Sequence, residues 1–385
     1  MTATSRDASA QLAESPARWT ARHVATIANT ACERVPLITG GDFAPIGGGI
    51  GIWDAWPVQA SDGSIARLGD GSSLWMALGA PWFDDPDERH GHARIHLLRH
   101  GEGGGWHHLG PAMPDGFSPG SREWSGSARL DRTGRRLTLY FTATGRRGEA
   151  APSFNQRIFA AEAELAADGG APRLTGWHAL REIVIRDPAH YMDPAEGSGS
   201  VGTIKAFRDP AWFRDPADGR DYLLFAGSQA GSRSAFNGVI GAAVADPAAP
   251  GNWRTLPPLL SADGLNNELE RPHIVHHGGR YYLFWSTQAH VFDPAGPIGP
   301  TGLYGMVSDR IGSGWEPLNG TGLVCANPRE APCQAYSWLV LPDLSVTSFV
   351  DHWGGTFEPG TPRRFGGGFA PFLHLRLDAG RAALA

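Results

Sequence analysis

YYLFWSTQ (281–288) follows a Gly278-Gly279 turn, and four further runs of the same kind lie along the chain: LWMAL (74–78), LTLYFTAT (137–144), YLLFAGSQ (222–229) and VTSFVDHW (346–353). Short apolar runs rich in aromatic and β-branched residues, placed behind turns, read as strands. The other turn signals are Gly71-Ser72, Thr133-Gly134, Asp218-Gly219 and Pro342-Asp343. The runs start roughly 60 to 85 residues apart, a period long enough for one four-stranded sheet per run. Five such units account for most of the chain and predict an all-β, five-bladed β-propeller. Five loosely similar strands also fit a sandwich.

A second regularity favours the propeller. Roughly 10 to 20 residues before each run stands a polar residue in unusual surroundings: Asp54, Ser125, Asp209, Glu270 and Tyr336. In a propeller the innermost strand of a blade comes first and lines the central channel, so each blade delivers a functional residue to the axis. Three of these residues are acids, in IWDAWP (52–57), FRDP (207–210) and NELERP (267–272). Each lies between apolar or aromatic residues and an Arg or Pro, whereas ordinary surface acids sit among polar neighbours. Two carboxylates flanking a bond, with a third to bind the sugar, suit glycosidic bond chemistry.

Composition agrees. The chain has 385 residues, with 52 Gly, 30 Pro and 14 Trp, and lysine is almost absent. Plentiful Gly and Pro with short apolar runs favour strands and turns over long helices. We read residues 16–385 as one domain behind a disordered tail, 1–15. Within it, Pro16–Ala31 reads as a helix capped by Ser15 with Pro16 at its first position, packed outside the propeller. A formal charge of −6 without a basic stripe argues against nucleic acid. No apolar run is long enough to cross a bilayer. The N-terminus lacks a signal-peptide core, which leaves the cytoplasm or export without a cleaved leader. Cys32, Cys325 and Cys333 form no C-x-x-C pair, which argues against zinc. Cys325 and Cys333 either close a small loop disulfide or stay free thiols.

With these residues in view, the chain resembles glycoside hydrolase family 68, the levansucrases, inulosucrases and β-fructofuranosidases. The matching segments are IWDAWPVQ (52–59), EWSGSA (123–128), FRDPAWF (207–213), NELERPHIV (267–275), YYLF (281–284), PLNGTGLV (317–324) and QAYSWLVLPD (334–343), in the family's order. The resemblance implies a five-bladed propeller with a funnel-shaped central site and a retaining, sucrose-cleaving fructosyltransferase. It needs no cofactor, and its partners are sucrose and sugar acceptors, with no obligate protein partner. Asp54 then looks like the nucleophile, Glu270 the general acid/base and Asp209 the transition-state stabiliser. Trp53, Trp124, Ser125, Arg208, Glu268, Arg271 and Tyr336 match positions that shape the sucrose site.

Simple geometry refines these roles. Glu268 and Glu270 share a strand face if the segment is extended, and like charge raises a carboxyl pKa, which helps keep Glu270 protonated. Strand alternation points Arg208 away from Asp209, towards direct sugar contact. Trp53, Trp124 and Trp338 offer flat faces for sugar C–H surfaces. Two other Arg-Asp-Pro acids, Asp187 and Asp215, read as turn caps. His273, His276 and His277 read as solvent-exposed turn histidines, not metal ligands.

The chain departs from the family at two places. Calcium-binding members carry Asp where this chain has Asn267 and Thr203, so no metal site is expected. Gln288 replaces a usual Arg or His near the acceptor pocket, with His290 as the substitute if the loop shifts. A neutral amide lacks a charge-assisted bond to the acceptor. That favours hydrolysis and short fructooligosaccharides over long levan, and leaves a mainly hydrolytic β-fructofuranosidase as the alternative. More remote alternatives are an inverting five-bladed arabinan hydrolase and a sugar-binding propeller without chemistry.

Overall fold

The computed structural model describes residues 15–30, 32–166, 170–196, 203–249, 251–354 and 363–385. It is all-β apart from short helical turns. Five successive antiparallel meanders follow one another along the chain. Their leading strands are Ile50–Gln59, Arg122–Leu130, Phe207–Arg214, Glu270–His277 and Ala335–Val340. Each leading strand pairs with one of the apolar runs read from the sequence: Ser73–Pro81, Arg136–Thr144, Asp221–Ser228, Arg280–Thr287 and Ser345–Val350. Each leading strand also lies against the next, and the fifth lies against the first, so the five form a closed ring. Between the first two, a short parallel pairing of Val58 with Ala128 and Gln59 with Arg129 joins neighbouring sheets.

The second strands are apolar on both faces because both are covered. Met76, Leu78, Leu137, Leu139 and Phe141 are buried in one core that runs between adjacent sheets. Such burial is the main favourable contribution to folding.

The N-terminal segment differs from its sequence reading. Ala17–Arg18 is extended and adds in parallel to the edge of the third sheet, against Leu260 and Ser261. The α-helix covers only Ala21–Ala25, begins after Thr20 rather than Ser15, and passes into a 3₁₀ turn, Thr26–Asn29. Trp19 explains the change. Its ring is buried against Trp285, Phe292 and Tyr304, and its Nε1 donates to the Thr321 carbonyl at 2.9 Å. A buried Trp with a satisfied N–H anchors the segment more strongly than local helix propensity. The expected tail falls almost wholly outside the described residues.

All five leading strands carry a β-bulge at the same place. Register slips between Trp53 and Trp56, Trp124 and Gly126, Arg208 and Ala211, Glu270 and His273, and Tyr336 and Leu339. At four of the bulges a non-glycine residue has positive φ: Asp54 (50°), Asp209 (61°), Arg271 (52°) and Ser337 (59°). This conformation is costly for L-residues and concentrates at functional sites. A bulge also re-aims side chains by breaking the two-residue alternation. Two consecutive residues per strand can therefore face one cavity.

Candidate active site

The ten bulge residues, Trp53-Asp54, Trp124-Ser125, Arg208-Asp209, Glu270-Arg271 and Tyr336-Ser337, all line one cavity of about 590 Å³. Asp209 and Arg271 also line a second space, of about 320 Å³, and so separate the two. The bulges correct the alignment of the repeats. Glu270 and Tyr336 occupy the position of Trp53, Trp124 and Arg208, one residue before the equivalents of Asp54. They correct Arg208 as well. Its side chain does not point away from Asp209: Nε lies 3.8 Å from Asp209 Oδ2. Its Nη2 donates to Glu270 Oε1 at 2.7 Å and lies 3.5 Å from Glu268 Oε2.

Each of the three acids has its own support. Asp54 Oδ2 accepts a hydrogen bond from Ser125 Oγ at 2.7 Å, and Arg271 Nη1 lies 4.0 Å from Oδ1. Arg271 is itself held by Ser337 Oγ at 3.0 Å and the Ala55 carbonyl at 3.0 Å. Glu270 Oε2 accepts from the Tyr336 hydroxyl. Asp209 Oδ2 accepts the Arg271 backbone N–H at 3.2 Å, and its own N–H donates to Thr142 Oγ1 at 2.9 Å. The result is a fixed carboxylate, a carboxyl between a cation and a phenol, and a third acid on the cavity floor.

Burial pushes the Asp209 carboxyl up to about 7, with Arg208 opposing and Glu270 adding to the rise. Burial and then the Glu270 charge push Glu268 up to about 8. The sequence predicts this like-charge effect on Glu270; here burial and the Glu270 charge act on Glu268. Folded Glu268 holds its proton above the pH at which the unfolded group loses it. That contribution to stability is fully present below about pH 4.5 and is lost as pH rises through 8, at up to about 1.4 kcal/mol per pH unit. Glu268→Gln should therefore lose less thermal stability than wild type between pH 5 and 8. Parallel melting-temperature profiles for the two proteins would contradict this.

Other expectations change on the structure. Trp338 is fully buried and does not line the cavity, so its ring serves the core. His276 and His277 are exposed, but His273 is buried. It accepts the Val340 N–H at Nε2 (2.9 Å) and pairs through Nδ1 with the Arg271 carbonyl (2.8 Å), and burial lowers its pKa to about 4. It braces the strand just past a bulge as a neutral ring. Cys325 is buried and Cys333 exposed, and both are free thiols, so the disulfide alternative falls away. Asp215 caps its turn through the Ala217 N–H and also accepts from the buried Tyr281 hydroxyl at 2.6 Å. Asp187 caps through Ala189. Asn267 Oδ1 accepts from Lys205 Nζ at 2.6 Å. Gln288 and His290 both line the cavity.

Sequence reading missed one wall of the cavity. Arg363 bridges Asp87 (2.6 Å) and Asp351 (2.8 Å), and Arg89 lies 3.5 Å from Asp351. The Arg89 guanidinium sits over Phe365 at 4.5 Å and Trp53 at 5.4 Å, cation–π contacts that fix the Trp53 ring. Beside it, His90 meets Trp53 edge-on, and its carbonyl accepts from Trp124 Nε1 at 3.3 Å. The one signal was Asp85-Pro86-Asp87-Glu88-Arg89-His90, a charged turn directly after an apolar strand.

Nearly the whole sequence matches the family described as levansucrase/invertase, over residues 8–238 and 234–385. A levansucrase of Rahnella aquatilis is 30% identical over 95% of this chain and 94% of its own length. An inulosucrase from Halalkalicoccus jeotgali, solved bound to kestose, superposes with a TM-score of 0.87 at 36% identity, covering 96% of this chain and 95% of that one. Levansucrase from Gluconacetobacter diazotrophicus superposes at 0.84 with 27% identity, over 97% of this chain and 90% of that one.

Proposed function

We propose a division of labour among the cavity residues from the premise that this chain belongs to the levansucrase/invertase family, glycoside hydrolase family 68, and is a sucrose-cleaving fructosyltransferase. The five meanders are the blades of a five-bladed β-propeller, and the cavity is its funnel. Asp54 is the nucleophile: an oxygen attacks the fructosyl anomeric carbon as the bond to the glucosyl oxygen breaks. Ser125 holds Oδ2, which favours Oδ1 for the attack. Glu270 gives its proton to the departing glucose. It then takes a proton from water or a sugar hydroxyl, whose oxygen displaces Asp54. Two displacements retain configuration, and such a pair of carboxyls stands roughly 5–5.5 Å apart.

Asp209 grips fructosyl hydroxyls and stabilises the transition state. Arg208 and Glu268 reach the glucosyl side. Arg208 Nη1 is buried without a protein acceptor among the described residues, a donor suited to a sugar hydroxyl. Trp53 and Trp124 pack on the sugar ring. The observation that carries this reading is the convergence of Asp54, Asp209 and Glu270 in one cavity, each held by a different partner. Free glucose and free fructose, assayed separately on sucrose near pH 6, test it. Glucose in excess of fructose means transfer, and equal amounts mean hydrolysis after the same first step.

The balance of products follows from Gln288. Its amide carries no charge to hold an acceptor sugar, so water competes well and products stay short. A mainly hydrolytic β-fructofuranosidase is the second reading, favoured by the same residue. Gln288→Arg should raise the ratio of transfer to hydrolysis several-fold, through one added charge-assisted hydrogen bond. An unchanged ratio would sink the assignment.

A further inference from the structure

Lys205 is the sole lysine in this sequence, in which every other basic side chain of the Lys/Arg kind is Arg. It is also buried, with 8% of its surface exposed. Its ammonium donates to Asn237 Oδ1 at 2.8 Å, to Asn267 Oδ1 at 2.6 Å and to the Ala235 carbonyl. Three N–H donors meet three neutral oxygens from two other segments; the Glu268 charge favours the ammonium from a distance, without a direct ion pair among the described residues. Burying a charge without an ion pair is costly, and the arrangement persists only if the surroundings hold it. A planar guanidinium would not fit a tripod of acceptors that suits a compact ammonium.

The position of the tripod gives it a role. Lys205 stands three residues before Arg208, and Asn267 three residues before Glu270. Arg208 and Glu270 then meet in the cavity at 2.7 Å. The two segments are thus tied twice, once inside the funnel and once behind it. The Lys205 backbone is fixed as well: its carbonyl accepts from Gln156 Nε2 at 2.8 Å, and Gln156 Oε1 accepts the Phe207 N–H at 3.0 Å. Asn267 Nδ2 in turn reaches the Ile204 carbonyl at 3.2 Å and Glu268 Oε1 at 3.3 Å.

We infer that the Lys205 ammonium is an internal cation that sets the spacing between the strand carrying Arg208 and Asp209 and the strand carrying Glu270, and so positions the acid/base for fructosyl transfer. It touches no substrate and does not line the cavity. The inference rests on the reading of Glu270 proposed above, and wild-type sucrose cleavage checks that reading separately.

The test uses Lys205→Ala and Lys205→Arg, assayed on sucrose well below their melting temperatures. In both, kcat should fall at least tenfold while KM moves less than threefold. Arg keeps the charge but not the tripod. In Lys205→Ala, millimolar propylammonium should restore much of kcat, and sodium chloride of equal ionic strength should not. A lowered melting temperature with kcat intact would overturn the inference, leaving Lys205 purely structural. So would full activity in Lys205→Arg. Should both variants fail to fold, Asn237→Ala removes one acceptor from outside the funnel. A several-fold fall in its kcat supports the inference, and an unchanged kcat overturns it.

Discussion

Asp54→Asn should lower kcat/KM on sucrose by about 10⁴-fold or more while leaving the fold in place. The side chain keeps its shape, and the Ser125 hydroxyl still has an oxygen to donate to. Asn also tolerates the positive φ that Asp54 adopts at the bulge, so the substitution adds no backbone strain. What disappears is the nucleophile, and no neighbouring group replaces it. Asp209 faces the same cavity, but its Oδ2 is held by the Arg271 N–H. The Asp54 charge also adds to the upward push on Asp209, so its removal should leave thermal stability unchanged or slightly higher. Glucose release and a melting curve on the same preparation check both halves. A folded variant retaining a hundredth of wild-type activity would contradict the assignment.

Glu270→Gln should cost about 10³-fold on sucrose, within the usual range for lost general acid/base catalysis. The amide keeps an oxygen for the Arg208 donor at Glu270 Oε1, so the cavity wall stays in place. The loss should depend on the leaving group. Glucose needs a proton as it departs, whereas the fluoride of a fructosyl fluoride leaves with little help. The first step should therefore recover most of its rate with the fluoride, and the second should become limiting because no base activates the acceptor. Azide, which needs no deprotonation, should then speed turnover. Equal losses on sucrose and on the fluoride would show that Glu270 is not the acid.

Much of the architecture was readable because its signals are local. The five apolar runs are the second strands of the five meanders, since a strand covered on both faces needs an unbroken apolar run. Asp54, Asp209 and Glu270 stood out because acids flanked by Trp, Phe and Leu have no place on a surface. The bulges left no such mark. Gly would signal a positive φ, but the bulges use Asp, Arg and Ser instead. Plain alternation therefore sent Arg208 away from the acids it touches, and it set Glu270 and Tyr336 one position out of step.

The remaining errors share a cause: contacts that close only in three dimensions. Trp338 read as a sugar platform for its flat apolar ring, like Trp53 and Trp124, yet after the bulge its ring enters the core. His273 sits in a strand that leads to exposed histidines, yet it is buried, and its ring accepts a backbone N–H from the fifth leading strand. The Arg89, Asp351 and Arg363 wall joins residues from connections within the first and last meanders. Nothing in either segment by itself announces the other.

A covalent fructosyl-Asp54 is the central claim, and rapid acid quenching of the wild-type protein during turnover on sucrose tests it most directly. Peptide mass spectrometry should find the peptide spanning Ile52–Pro57 heavier by one anhydrofructosyl unit, with fragments placing the addition on Asp54. The adduct should be absent from Asp54→Asn and more abundant in Glu270→Gln given the fluoride donor. Turnover with no adduct in any of these proteins, or an adduct on Asp209 instead, would contradict the account.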